Sequence, residues 1–166
     1  MRRDWEHANP PPRTRDAWMA FLRKEFRQVE KWIDAGHGAC WLRQPRYAGK
    51  MIDTLMHSHQ VHYELGCFAV MPNHVHLVVR PFGGVQLENL IGAIKTITAR
   101  EINRREARSG PLWHQESYDR ILRDEDHLWH VVQYIGRNPR QAGLPKHDWH
   151  RWLNPAWEPY GWRFVD

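Results

Sequence analysis

Two histidines separated by a single residue, His74 and His76, are the side chains in this sequence best suited to chemistry. Side chains alternate between the faces of an extended strand, so both imidazoles point to one side and Val75 points to the other. A Pro-Asn turn before the pair, preceded by an apolar run, predicts a hairpin with strands at about 61–70 and 74–80. Neutral imidazole is a common ligand of divalent ions, so the strand predicts a two-donor metal site. Two half-buried histidines that bond to the backbone are an equally well supported alternative.

A helix predicted from Glu125 to about Arg137 carries the second candidate group, and Asp124 can cap its first turn. Tyr134 and Asn138 lie four residues apart, so at about 100° per residue they share one face. Free phenol has a pKa of about 10 and is a poor nucleophile at neutral pH. A nearby divalent ion can offset this by polarising a phosphate and holding it in line, which suggests phosphodiester transesterification. An ordinary tyrosine at the edge of the core is the alternative.

The elements that must position these groups follow from hydrophobic periodicity. Apolar residues at helical spacing predict amphipathic helices over 14–35, about 45–59 and about 86–107. Residues 115–122 alternate loosely and predict a further strand. The helix that carries Tyr134 is predicted to end at Asn138-Pro139, because the residue before a proline disfavours helical geometry.

The length of 166 residues predicts one domain over 1–166. Residues 1–13 are polar and include three consecutive prolines, which indicates a loose arm. Residues 145–166 place four of the ten tryptophans among prolines, and we expect an irregular tail that lies on the core.

Composition narrows the class of function. The formal net charge of +5 and the pI of about 9.5 fit a nucleic-acid-binding protein, although a merely basic protein would show the same values. The two cysteines form no C-x-x-C pair, which argues against a zinc ribbon or a disulfide scaffold. A phosphate-binding loop is missing, which argues against nucleotide hydrolysis. Neither a membrane-spanning run nor a signal peptide is present, so we expect a cytoplasmic protein.

Several motifs occur in an order that resembles one family. Pro-Asn-His74-Val-His76, followed by Tyr134-Ile-Gly-Arg-Asn138-Pro-Arg-Gln-Ala-Gly-Leu, resembles the HUH (His-hydrophobic-His) single-tyrosine transposases. The narrower resemblance is to the REP-associated tyrosine transposases, and it runs from about residue 36 to 153. Other stretches fit in order: Gly38–Leu42, Lys95–Asn103, Leu112–Arg120 and Arg123–Glu125.

The resemblance implies an α+β fold, in which a ferredoxin-like antiparallel sheet packs with helices. It implies that His74, His76 and Asn138 hold Mg²⁺ or Mn²⁺. Tyr134 would then attack a single-stranded DNA phosphate, leaving a 5′-phosphotyrosine link and a free 3′-OH. The implied substrates are hairpins of repetitive extragenic palindromes with their flanking tetranucleotides, which indicates a nucleoid-associated protein, as a monomer or a homodimer.

Five arginines are candidates for DNA phosphate contacts. Arg100, Arg104 and Arg105 lie near the end of the third predicted helix, where a solvated helix end is the alternative interpretation. By the same resemblance, Arg120 and Arg123 would lie on the side of the fold that faces DNA in this family.

One departure from the family pattern concerns the sheet. Family members begin with a strand that pairs next to the His-x-His strand, whereas the polar residues 1–13 show no such strand. A truncated reading frame, a substitute strand at Ala39–Leu42, or a strand supplied by a partner would each account for this.

The alternatives to a nicking and rejoining enzyme follow from these observations. A domesticated relative, catalytically weak or inactive, could bind only structured DNA or RNA. A metal-dependent hydrolase acting on another substrate would need a general base, for which His127 and His130 are the candidates. Tyr118 is the rival nucleophile.

Overall fold

The computed structural model describes residues 6–11, 14, 16–17, 20–21, 24, 28, 32–33 and 38–165, and the chain forms two compact units, Met1–Gly38 and Ala39–Asp166. In the first unit, most of the helix predicted over 14–35 and much of the arm predicted over 1–13 lie outside the described residues. Residues 6–8, 16–17, 20–21, 24, 28 and 32–33 are helical.

The second unit contains three helices and three strands. In chain order they are α1 (Pro45–His57), β1 (Tyr63–Val70), β2 (Val75–Pro81), α2 (Leu87–Arg105), α3 (Glu125–Gln141) and β3 (His150–Leu153). Short 3₁₀ helices occur at Trp41–Arg43, Lys146–Asp148 and Pro155–Tyr160. The strands form an antiparallel sheet in the order β2-β1-β3. The predicted α+β class, with an antiparallel sheet packed against helices, is therefore confirmed.

A β-bulge in the central strand decides which side chains share a face of the sheet. The pairing of β1 with β2 shifts between Leu65 and Cys67, so Gly66 is the extra residue. Beyond the bulge the alternation is offset, and Leu65 and Phe68 lie on one face while Cys67 lies on the other. Gly66 must be glycine here, because a Cβ atom would lie 2.1 Å from the ring of Trp157.

The two faces of the sheet support separate hydrophobic cores. Leu65, Phe68 and Val70 pack with residues of α1 and α2 on one face. Cys67 and Ala69 pack with α3 on the other face. The sheet is thus the middle of three layers, and everything carried by α3 lies on the opposite side of the sheet from α2.

The start of α3 agrees with the prediction, because the Asp124 side chain accepts a hydrogen bond of 2.7 Å from the backbone N–H of His127. The predicted end at Asn138-Pro139 is wrong, since the helix continues to Gln141. Pro139 lies in the last turn, where it removes a single backbone donor, and only Arg140 and Gln141 follow it in the helix. Asn138 therefore stays helical, one turn beyond Tyr134.

Two other predictions fail where distant contacts decide the structure. Residues 115–122 form no strand, and the Lys95 ammonium instead donates to the carbonyl groups of His114, Gln115 and Glu116 at 2.9, 3.3 and 3.1 Å. Part of the tail predicted as irregular forms β3, which pairs with β1. Four residues are too few for alternation to be recognised before the partner strand is known.

The substitute strand at Ala39–Leu42, one of the three alternatives, is not formed, because residues 39–40 are irregular and Trp41–Arg43 is a 3₁₀ helix. Among the described residues no strand precedes β1, and β2 is an edge strand that pairs with β1. None of the described helices is long and apolar enough to cross a membrane.

Candidate active site

The two histidines converge as the strand alternation predicts. His74 directly precedes β2 and His76 lies within it, and their Nε2 atoms are 3.0 Å apart. The rings are nearly perpendicular, at 88°, with centroids 4.6 Å apart. Asn73 Oδ1 lies 2.8 Å from His74 Nδ1, so the tautomer with a proton on Nδ1 presents its Nε2 lone pair toward His76. The sequence identifies Asn73 as a turn residue and does not predict this contact with His74.

Tyr134 lies on the same side of the sheet as the imidazoles. His76 is paired with Ala69 of β1, on the face that packs against α3. The rings of His76 and Tyr134 have centroids 5.5 Å apart and meet edge to face at 77°. Distant parts of the sequence thus bring the phenol directly against the histidine pair.

Asn138 contacts Tyr134 directly, as expected for two side chains one helical turn apart. Its Nδ2 donates a hydrogen bond of 3.0 Å to the phenolic oxygen, and the residue is only 2% exposed. A donor at this position stabilises negative charge that develops on the phenolic oxygen when it loses its proton.

The donor set fits two positions of a divalent cation site. Two ligands at right angles and about 2.1 Å from a six-coordinate ion lie about 3.0 Å apart, which is the separation of the two Nε2 atoms. The same distance also suits an N–H···N hydrogen bond between the rings. Within the described part of the chain, no third His, Cys, Asp or Glu completes such a group. A third ligand from a side chain would therefore be of another type, such as the oxygen of an amide.

The arginines predicted near the end of α2 are not brought to this site. Arg104 and Arg105 both donate hydrogen bonds to the Glu101 carboxylate. The distance from Arg104 Nη2 to this carboxylate is 2.9 Å. These bonds lower the pKa of the Glu101 carboxyl to about 2. Like Arg100, they belong to α2, which packs on the opposite face of the sheet from Tyr134. Their contribution to DNA binding stays a prediction.

The remaining predicted residues lie between α2 and α3 or on α3 itself. Arg120 and Arg123 are exposed in an irregular segment that ends at the cap of α3. Tyr118 lies in the same segment and is 43% exposed, whereas Tyr134 is half-buried on α3. His127 and His130 lie in the first half of α3, before the turn that contacts His76.

The sequence did not single out Arg151, which joins the sheet to the tyrosine helix. Ala69 pairs with His76 on one side and with Arg151 on the other, so both side chains lie in one row on one face. Arg151 Nη1 donates a hydrogen bond of 2.9 Å to the carbonyl of Gly136 in α3. Only recognition of β3 could have revealed this residue.

Comparison with known proteins agrees with this geometry. Residues 46–138, more than half of the chain, match the family model described as Transposase IS200 like. The matched range includes His74, His76, Tyr134 and Asn138. No curated protein and no solved structure matches. The resemblance to single-tyrosine transposases is confirmed at the level of the family, which indicates a transposase function and DNA as the partner. The chain belongs to the IS200-like transposase family.

Proposed function

We propose that this protein nicks and rejoins single-stranded or hairpin DNA, with Tyr134 as the nucleophile and Mg²⁺ or Mn²⁺ as the cofactor. The supporting observation is the 5.5 Å approach of the Tyr134 ring to the His76 ring, beside the two convergent imidazole nitrogens. Hairpins of repetitive extragenic palindromes are the proposed substrates. A nucleoid-associated monomer or homodimer, with a partner strand beside β2, belongs to the same proposal.

The proposed reaction exchanges one ester for another. The phenolic oxygen of Tyr134 attacks the phosphorus, a P–O bond to tyrosine forms, and the P–O3′ bond breaks. The phenolic proton passes to solvent, and the departing 3′ oxygen takes up a proton to become a 3′-OH. Rejoining reverses these steps, with a 3′-OH as the attacking group. The number of phosphate ester bonds is unchanged, so ATP is not required.

Different side chains would hold the cation, orient its ligands and hold the attacking oxygen. His74 and His76 would hold the cation, and Asn73 would fix the orientation of the His74 ring through its 2.8 Å contact. The cation, when bound, polarises the scissile phosphate and offsets its charge. Asn138 Nδ2 holds the attacking oxygen of Tyr134. The amide oxygen of Asn138 is a ligand type that Mg²⁺ accepts, so we keep Asn138 as the third ligand.

The test is a titration of end-labelled hairpin DNA with and without Mn²⁺, analysed on a denaturing gel. We expect a covalent protein–DNA adduct with the wild-type chain and none with Tyr134→Phe, which should still bind the hairpin. Tyr118→Phe is the matched control and should form the adduct. An adduct formed by Tyr134→Phe but not by Tyr118→Phe would show that the nucleophile is wrongly assigned.

A second candidate function is structured-DNA or RNA binding without catalysis. It is favoured by the lack of a third His, Cys, Asp or Glu at the histidine pair within the described residues. This alternative predicts affinity that falls steeply with salt and no covalent product with any divalent metal. A metal-dependent hydrolase would instead release product without an adduct, and the same gel separates all three outcomes.

A further inference from the structure

The tyrosine helix has three stripes of side chains, and each faces a different environment. Taking Tyr134 as the origin, Asn138 lies about 40° away, Ile135 about 100° and Gly136 about 200° around the helix. Ile135 packs on the sheet, whereas Tyr134 and Asn138 form the reactive stripe. The third stripe contains Gly136 and Gln133 and lies on the flank of the contact with the sheet. It is contacted by residues 163–165, which we call the tail clamp.

Gln133 binds the backbone of the tail clamp with both halves of its amide. Its Nε2 donates to the carbonyl of Arg163, and its Oε1 accepts from the N–H of Val165, each at 2.7 Å. Gln133 is 7% exposed, whereas Arg163 and Val165 are exposed, so the buried amide anchors a segment at the surface. One buried side chain thus takes the place of a partner strand for this short segment.

Phe164, between these two backbone contacts, packs on Gly136. A Cβ atom at Gly136 would lie 2.3 Å from Cδ1 of Phe164, so any other residue would displace the ring. Glycine is among the least favourable residues in a helix interior. Gly136 lies midway between Tyr134 and Asn138, and the close approach of Phe164 accounts for a glycine at this position.

Arg151 connects the same contact to the sheet. Its Nη1 donates to the carbonyl of Gly136 at 2.9 Å, and its guanidinium carbon lies 4.8 Å from the centre of the Phe164 ring. Arg151 also shares a row of the sheet with His76, through Ala69. Arg151 therefore contacts both the tail clamp and α3, and it lies in the same row of the sheet as His76.

We propose that the tail clamp positions Tyr134 for attack, with Gln133, Phe164 and Arg151 acting as positioning residues. The apolar stripe packs on the sheet, and the tail clamp holds the flank of this contact, where Phe164 packs against the same core and next to Arg151 of β3. A contact at the flank opposes rolling of the helix on the sheet. A displacement of about 1 Å at a reacting group can cost about 100-fold in rate. This inference rests on the proposed function, because it takes Tyr134 as the nucleophile.

The test compares two glycines that both lie inside helices. Gly136→Ala should displace Phe164 and lower the single-turnover nicking rate by roughly 10- to 100-fold, with hairpin affinity unchanged. Gly92→Ala, in α2, is the matched control, since a Cβ there meets nothing within 4 Å. It should nick at the wild-type rate. Phe164→Ala should lose rate as well, and the double variant should be no slower than Phe164→Ala alone, because both changes break one contact.

A readout without DNA separates this inference from the proposed function. Gln133→Met removes both hydrogen bonds at similar volume, so hydrogen exchange at the Val165 amide should accelerate in the free protein. If the wild-type chain forms no adduct, the proposed function fails, and the positioning role fails with it even where exchange shows an intact clamp. If the wild-type chain nicks, and Gln133→Met exchanges faster yet nicks at the wild-type rate, the positioning role alone is overturned. Weaker hairpin binding at an unchanged rate would also overturn it.

Discussion

Replacing Asn138 by aspartate separates the two roles proposed for this side chain. In the structure, Asn138 Nδ2 donates a hydrogen bond of 3.0 Å to the phenolic oxygen of Tyr134, and Asn138 is 2% exposed. Aspartate keeps an oxygen that can bind a cation, but it loses the N–H and sets a carboxylate against the phenolic oxygen. A hydrogen bond to a charged group contributes about 1.5–3 kcal/mol. At about 1.4 kcal/mol per tenfold, the rate of attack should fall by about 10- to 150-fold.

The assay is single-turnover nicking of a labelled hairpin at saturating Mn²⁺, with hairpin affinity measured separately. We expect Asn138→Asp to lower the rate by this factor while Mn²⁺ and hairpin affinities stay close to wild type. Asn138→Ala removes the amide oxygen as well, so it should both slow nicking and weaken Mn²⁺ binding.

Asn154→Asp is the control for the general effect of replacing a buried asparagine side chain by a carboxylate. Asn154 is 3% exposed and donates 2.9 Å to the carbonyl of Leu65, with no contact to Tyr134 among the described bonds. It should lower stability and leave the rate of the folded protein unchanged. A wild-type rate for Asn138→Asp would refute the argument that the amide donor assists the phenolic oxygen. A defect that is present at subsaturating Mn²⁺ and absent at saturating Mn²⁺ would assign Asn138 to the cation alone.

Three further predictions concern the metal, the bulge and pH. His76→Ala should abolish Mn²⁺-dependent adduct formation and weaken Mn²⁺ binding, measured by electron paramagnetic resonance. Gly66→Ala should lower the free energy of unfolding by about 1–3 kcal/mol, because its Cβ meets the Trp157 ring at 2.1 Å. Gly49→Ala, which meets nothing within 4 Å in α1, should raise it by up to about 1 kcal/mol. Since arginine hydrogen bonds lower the pKa of Glu101 to about 2, the carboxylate should stay ionised in acid. Its stabilising effect is complete above the unfolded pKa of about 4.3 and is lost as pH falls toward 2; an NMR titration of Glu101 that shows an ordinary pKa would contradict this.

Local patterns predicted the elements that carry the candidate site. The hairpin with His74 and His76 was predicted because strand alternation and the Pro-Asn turn are encoded within a few neighbouring residues. The Asp124 cap and the apolar stripe likewise predicted the start of α3. The joint position of Tyr134 and Asn138 needed only the 3.6-residue period of a helix.

The rest depends on contacts between distant residues. The bulge at Gly66 is explained by Trp157, which lies 91 residues later. Strand β3 exists because β1 pairs with it, and Arg151 reaches Gly136 only through that pairing. The segment around 115–122 alternates in sequence but gives its first carbonyl groups to Lys95 rather than to a strand. No window of local sequence contains these partners.

Under the proposed function, the distribution of charge along α3 predicts from which end DNA would approach Tyr134. The first turn is acidic, with Glu125 and Asp126 after the Asp124 cap, and Arg123 directly precedes this cap in the sequence. The second half carries the exposed Arg137 and Arg140, on either side of Asn138. A phosphate chain is repelled by the first group and attracted by the second.

This arrangement changes which arginines should matter most for the substrate. Arg104 and Arg105 are engaged with Glu101 on the far layer, so much of their charge is already compensated. Arg137 and Arg140 lie within one and two turns of Tyr134 on the same helix. Arg137 Nε donates to the uncharged carbonyl of Val165 at 3.1 Å, which does not compensate its charge. We therefore expect the backbone of the DNA to follow the second half of α3, a path that the basic residues chosen from the sequence did not indicate.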